Sequence, residues 1–305
     1  MLSIAFLLFQ YMISAKAGLV NYVDGQTNVH LHEQVAEGRP VETQAQGHVE
    51  LLLTPGSFLR VGSDSKVILD SVELNRVVVR IVDGTALVEV AEIDKNAPIT
   101  VTTGNLQTAI TSRGIYRFSS GTASVIDGKL RIAAAHMTVK KGHQVTSTPD
   151  GYLASTFAVP NDDLDRWSQG RSAALANANA MAYNDRSSGT YSYSPSLAYY
   201  PYWNIYSNRS SWIYSSLLGG FTFIPRGGYR SYYGYTFVPV SAFGTVPAFT
   251  VRPGGTTGGP VRAGSSAGST SRPSSGGGGF HSPSGVHAGG HGPTFHGGGR
   301  GGGHR

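Results

Sequence analysis

Few groups in this chain have the type and spacing to do chemistry. Ser63-Asp64-Ser65-Lys66 has the S-x-x-K spacing in which a lysine can activate a serine nucleophile. That chemistry needs the serine at a helix start and partner motifs elsewhere. No Ser-Asp-Asn or Lys-Thr-Gly occurs, and the tetrapeptide lies between strand-like runs, so it is expected to be a turn. Asp162, Asp163 and Asp165 could share a cation, but they also suit the first turn of a helix, where acids favour the dipole. His281, His287, His291 and His296, with His304 beyond them, could hold zinc, copper or nickel through imidazole nitrogens. With no thiol or carboxylate near them in a flexible chain, they would give weak, adaptable chelation and no structural zinc site. Tyr199, Tyr202, Trp203, Trp212, Tyr232 and Tyr233 stand in dense aromatic clusters and could stack on sugar faces or cations. The alternative is that this segment docks on its own domain. There is no H-E-x-x-H, no phosphate loop, no dinucleotide fingerprint after a strand and no nucleophile elbow between a strand and a helix. The expectation is a chain without catalysis and without a cofactor.

The charge distribution separates two regions. All 18 acidic residues lie at or before Asp185, and residues 186–305 carry nine arginines and no acid. Residues 18–185 carry 14 basic and 18 acidic residues, a net charge of −4. A basic tail beside a mildly acidic domain suits an anionic surface. Cell-wall polymer, polysaccharide or anionic lipid fits better than nucleic acid, because the N-terminus points to export. Residues 2–13 are nearly all apolar, about half the ~20 residues of a membrane span. Ala15-Lys16-Ala17 has the small-x-small pattern of a signal-peptidase site, with cleavage expected after Ala17. No Lys or Arg precedes the apolar run, which leaves a start upstream of Met1 open. The chain has no cysteine, hence no disulfide and no lipoprotein anchor.

These groups must be positioned by strands. From residue 18 to about 150, short Val-, Ile-, Leu- and Thr-rich runs alternate with Gly, Asp, Asn and Pro turn signals. The pattern predicts about ten short strands: 49–53, 58–61, 77–82, 86–90, 99–103, 106–111, 115–118, 123–126, 130–133 and 137–139. Thr54-Pro55-Gly56-Ser57 reads as a tight turn, and Asp83-Gly84 between two β-branched runs reads as a hairpin. Asp24-Gly25 and Asp127-Gly128 echo it at irregular spacing. The expected fold is all-β, an antiparallel β-sandwich or β-roll. One amphipathic helix over 160–184 follows, capped by Asn161 and docked through Leu164 and Trp167. Residues 186–250 read as an aromatic Tyr/Pro/Gly-rich low-complexity region, and 251–305 as a disordered Gly/Ser/His/Arg-rich tail.

The order of short motifs resembles the FecR-type domain of bacterial envelope proteins. The closest likeness is Gly47-His48-Val49-Glu50-Leu51 followed by Pro55-Gly56-Ser57-Phe58-Leu59-Arg60-Val61. Before it stand Gly18-Leu19-Val20, Val23-Asp24-Gly25, Glu37-Gly38 and Val41-Glu42-Thr43. After it come Val82-Asp83-Gly84-Thr85-Ala86, Ile99-Thr100-Val101, Arg113-Gly114-Ile115-Tyr116-Arg117-Phe118 and Lys141-Gly142-His143-Gln144. The chain has Gly114-Ile115 where the family usually has Gly-Thr. It also lacks the cytoplasmic anti-sigma segment and spanning helix of the iron-siderophore regulators. The resemblance thus implies fold and compartment, periplasm or cell surface, but not the iron-signalling role. The sequence favours an exported, non-catalytic binding or scaffold protein whose partner is an envelope protein or a glycan. A periplasmic signalling accessory is the alternative, and a wall-acting enzyme is a third.

Overall fold

The computed structural model describes residues 16–187 and 210–243. All fall in the first of two compact units, Met1–Thr250; the second, Val251–Arg305, lies outside the described residues.

Fifteen strands build the β domain, five more than the turn signals suggested. Those that the run pattern passes over are β1 (Leu19–Asp24), β2 (Pro40–Glu42), β5 (Lys66–Ser71), β14 (His143–Thr148) and β15 (Gly151–Thr156). The last two are rich in Ser, Thr, Gln and His, and Val145 is the one fully buried residue they contribute. The remaining strands are β3 (His48–Leu52), β4 (Ser57–Val61), β6 (Val78–Asp83), β7 (Thr85–Val90), β8 (Ile99–Thr103), β9 (Leu106–Ile110), β10 (Gly114–Ser119), β11 (Thr122–Asp127), β12 (Lys129–Ile132) and β13 (Met137–Lys140). An eight-stranded antiparallel sheet runs β1-β3-β4-β7-β10-β11-β14-β15. A seven-stranded sheet runs β13-β12-β9-β8-β6-β5-β2, antiparallel except for the parallel pair β6–β8. Alternation along each strand sends Val49, Leu51, Leu59, Val61, Val88 and Val90 from one sheet to meet Val67, Leu69, Val79, Val101 and Ile110 from the other in one core.

The chain zigzags between the two sheets, and the Asp-Gly pairs mark the crossings. Thr54-Pro55-Gly56-Ser57 does close the β3–β4 hairpin, with the Ser57 N–H donating to the Thr54 carbonyl at 2.7 Å. Asp83-Gly84 does not close a hairpin: β6 ends in the smaller sheet and β7 begins in the larger. A single residue separates them, too few for the two-residue loop that folds a strand back on its neighbour. Gly84, at φ +73°, turns the corner where an added Cβ would sit 2.2 Å from Ser65 Oγ. Asp127-Gly128 makes the same crossing from β11 to β12. The Ser63–Lys66 tetrapeptide is a turn, in which Ser65 Oγ donates to the Ser63 and Thr85 carbonyls and Lys66 pairs with Glu42 at 2.7 Å.

One helix follows, α1 (Asp163–Ser187), starting later than expected. Its cap is Asp162, not Asn161: Asp162 Oδ1 accepts the Asp165 N–H at 2.9 Å and the same carboxylate pairs with Arg117. An aspartate that caps and pairs at once outcompetes a neutral neighbour for that position. Part of the aromatic segment falls within the described residues. Residues 211–237 form β16 (Ser211–Ser215) paired with β17 (Gly220–Ile224), and β18 (Tyr229–Arg230) paired with β19 (Thr236–Phe237). A short helix, α2 (Val240–Phe243), ends the described part.

The first described residues are used by the fold. Ala17 is fully buried, its N–H donates to the Val72 carbonyl at 2.7 Å, and its carbonyl accepts from Gln34 Nε2 at 2.7 Å. Lys16 lies 3.7 Å from Glu73. Cleavage after Ala17 would remove both residues; the apolar run before them lies outside the described residues. A chain beginning at Gly18 is expected to be less stable than one beginning at Lys16 by about 1–3 kcal/mol, because the Val72 carbonyl and the half-buried Gln34 amide lose their partners. Denaturant unfolding of the two chains measures the difference, and equal midpoints would show that the Ala17 contacts contribute nothing.

Candidate functional site

The outer face of the eight-stranded sheet is where ionisable groups converge. Glu50 on β3 stands opposite Arg60 on β4, and Glu89 on β7 stands two positions further along, opposite Phe58. Alternation points all three away from the core, the side that in a two-layer sandwich faces water. Yet Glu50 and Arg60 are completely buried and Glu89 nearly so. The cover is α1 together with the hairpin β16–β17 and the strands after it.

The interactions are dense. Arg60 Nε donates to Glu50 Oε2 at 3.0 Å and Arg60 Nη1 to Glu89 Oε2 at 2.6 Å. From the helix, Arg171 Nη2 donates to Glu50 Oε1 at 2.8 Å, and the Ser172 hydroxyl donates to Glu89 Oε2 at 2.6 Å. The Ser168 hydroxyl accepts from Arg60 Nη1 at 2.7 Å. The Arg171 guanidinium lies 4.0 Å from the centroid of the Tyr22 ring. From β18, the Tyr229 hydroxyl donates to Glu89 Oε1 at 3.2 Å. Two carboxylates thus face two guanidinium groups, so the layer is neutral. Among the described residues, Arg60 Nη2 and Arg171 Nε are left without a hydrogen-bond partner.

Neighbouring polar groups tie the two parts of the cover to each other and to the sheet. Asn21 donates to Glu50 Oε1 and to the Phe221 carbonyl, and it accepts the Phe221 N–H at 2.6 Å. The hairpin comes this close because residue 220 is glycine; a Cβ there would lie 2.8 Å from the Asn21 carbonyl. Thr222 Oγ1 donates to the Leu175 carbonyl, and Asn179 bonds Phe223 and Val238. Leu19, Leu52, Phe58, Leu175, Phe221, Phe223 and Phe237 make an apolar cluster beside the charges. At the helix start, His48 Nε2 lies 3.1 Å from Asp163 Oδ2, and its ring stacks on Trp167 at 4.8 Å.

Burial raises the cost of the Glu50 charge, but Arg171 and Arg60 outweigh it and hold the carboxyl at about 2. Burial also works against the Arg60 charge, and Glu89 and Glu50 more than compensate, so its pKa lies above the usual guanidinium range. Burial, with Glu89 alongside, pushes the Tyr229 phenol far above its ordinary value. Neither Glu50, Arg60 nor Tyr229 is poised to exchange a proton near neutral pH. The arrangement is chemically suited to holding surfaces together.

The residues singled out from sequence fare differently. Trp212 sits edge-on to Phe58 at 5.2 Å and belongs to the packing of the cover. The Tyr233 hydroxyl donates to Asp165 at 3.1 Å, so that side chain is also engaged. Tyr232 is exposed, with Lys141 Nζ 6.0 Å from its ring centroid. Tyr199, Tyr202 and Trp203 lie outside the described residues, as do His281, His287, His291 and His296. Asp162, Asp163 and Asp165 turn to separate partners: Arg117, His48 and Tyr233. Sequence reasoning missed Glu50, Arg60 and Glu89, which look like ordinary outward residues of alternating strands. One signal was present: Arg171 interrupts the helical series Leu164, Trp167, Leu175, Ala178 on the face expected to dock.

The family profile described as FecR protein matches residues 39–140. This stretch is a FecR domain. It contains Glu50, Arg60 and Glu89, while Arg171, Ser172 and Tyr229 lie beyond its end. Two crystal structures of a candidate anti-sigma factor from Parabacteroides distasonis are similar, at 16% and 15% identity and a TM-score of 0.35. Each similarity covers 43% of this chain and 65% of the other. No curated protein matches the chain. Among the described residues, no helix is long and apolar enough to cross a membrane.

Glu50→Gln leaves Arg60 and Arg171 buried without their shared anion and is expected to cost about 3–5 kcal/mol in denaturant unfolding. The wild-type protein is also expected to lose stability in acid. Glu50 titrates lower in the folded state, about 2, than the ordinary value of 4.5. Its contribution, on the order of 3 kcal/mol, is therefore complete above about pH 4.5 and lost as pH falls toward 2. Unfolding free energies across that window check this, and Glu50→Gln should flatten the slope.

Proposed function

We propose that this chain is a signalling accessory of the FecR type, exported to the cell envelope, that acts by binding a protein partner and not by catalysis. The FecR domain at residues 39–140 carries this reading. The internal chemistry agrees with it. The densest set of ionisable groups in the described residues is spent on holding the chain's own C-terminal cover, and Glu50 and Arg60 have no exposed surface to offer a substrate. The domain is thereby presented as a rigid body, which suits recognition.

The scaffold reading, in which the aromatic, arginine-bearing C-terminal part grips anionic wall polymer or polysaccharide, receives less support. Trp212 and Tyr233 are used for packing. The nine arginines after Asp185 remain its best argument.

In-cell crosslinking of a tagged full-length chain, with mass spectrometry of the captured material, separates the two. A defined envelope regulator or receptor, still captured when residues 244–305 are deleted, is the expected result. Capture of wall or polysaccharide material alone, lost with that deletion, would overturn the signalling proposal.

A further inference from the structure

The four edges of the two sheets are not treated alike. The β2 edge is three residues long, begins with Pro40 and has Asn28 bonded to Glu42. The β13 edge is four residues long and ends on Lys140. The β1 edge is covered, since the Val20 N–H donates to the Glu33 carbonyl and the Val20 carbonyl accepts the His32 N–H. These are the devices by which sheets avoid unwanted pairing: short strands, proline, charge and cover. Among the described residues, the β15 edge has none of them. Gly151-Tyr152-Leu153-Ala154-Ser155-Thr156 contains no charge and no proline, and Leu153 is 61% exposed.

Hydrogen-bond alternation says which groups this edge offers. The two-residue turn Pro149-Asp150 joins the paired residues Thr148 and Gly151. Pairs bonded to β14 therefore fall at Gly151, Leu153 and Ser155, consistent with the Phe157 N–H donating to the Gly142 carbonyl. Tyr152, Ala154 and Thr156 turn their N–H and C=O groups outward, and among the described residues nothing bonds them.

We propose that β15 is a self-pairing edge, at which two copies of this chain join antiparallel about a two-fold axis through Ala154. A regular ladder requires outward residues to meet outward residues, so Tyr152 of one copy faces Thr156 of the other and Ala154 faces its own mate. The ends match in charge. Asp150, exposed and without an ion pair among the described residues, marks one end of β15. Lys140 and Lys141 mark the other, with Lys141 3.1 Å from Asp127. Antiparallel pairing brings the acid end of each copy alongside the basic end of its mate, whereas the neutral middle raises no repulsion between like strands. A single strand pair falls short of the ~1,200 Å² of a standard stable interface, so the dimer is expected to form at about 100 µM and above.

Sedimentation velocity of the full chain over rising concentration tests this. Wild type should shift from monomer toward dimer, and Ala154→Pro, which removes an outward N–H only, should stay monomeric with an unchanged melting temperature. The chain has no cysteine, so Ala154→Cys provides a direct probe. Facing Cα atoms in such a pair lie about 5.5 Å apart, within disulfide range. Oxidation should link Ala154→Cys into dimers and leave the exposed control Thr138→Cys unlinked. A wild-type monomer at every concentration, with no linkage at Ala154→Cys, would overturn the proposal. In that monomer, exchange-protected Tyr152, Ala154 and Thr156 amides would show another part of the same chain on the edge, and unprotected amides would show a bare edge. Oligomers that Ala154→Pro leaves intact would overturn it as well.

Discussion

Two carboxylates and two guanidinium groups share one buried layer, and much of the rest of the molecule is arranged to keep them there together. Any one of them alone would cost several kcal/mol to bury. As a neutral set, bound also by Ser168, Ser172, Asn21 and Tyr229, they fix the position of everything above them. The helix can dock in one register only, because Arg171 must reach Glu50 while Ser168 and Ser172, one turn apart, bracket Arg60. The hairpin is held by the same constraint, since Asn21 bonds both Glu50 and the backbone of Phe221. Apolar contacts such as Phe58 with Phe223 add affinity, but they would tolerate sliding that the polar layer forbids.

The β framework was largely legible in the residues. Val, Ile and Leu at alternate positions identified ten strands, and Pro55-Gly56 located a true hairpin. Asp83-Gly84 misled because a turn residue reports a change of direction and not its destination; a one-residue corner and a two-residue hairpin use the same glycine. The strands β14 and β15 were hidden by polar composition, since an edge strand with little to bury has little apolar pattern to show. The charged layer was hidden for a deeper reason. In strand alternation, Glu50, Arg60 and Glu89 are indistinguishable from residues facing water until a second layer is known to cover them. That layer comes from residues more than 80 positions away, in a helix whose docking face carries Ser168, Arg171, Ser172 and Asn179 between its apolar residues, so its apolar series announces docking but not a charged layer beneath it.

The FecR domain and its cover divide the labour. The matched stretch supplies most of the two-sheet core and three of the four charged groups, Glu50, Arg60 and Glu89. The segment after it supplies the fourth, Arg171, and closes the outer face of the larger sheet. Among the described residues, what remains exposed is the rim of the sandwich and the β15 edge, not the charged face.

Native-state hydrogen exchange of wild type and Arg171→Met tests the central claim most directly. If the charged layer anchors the cover, losing Arg171 should strip protection from α1 and from the amides of β16 and β17, while strands β4, β7 and β10 keep theirs relative to global unfolding. If protection in α1 and the hairpin persists, or falls in step with the core strands, the cover is held by its apolar contacts and the ionic layer does not anchor it.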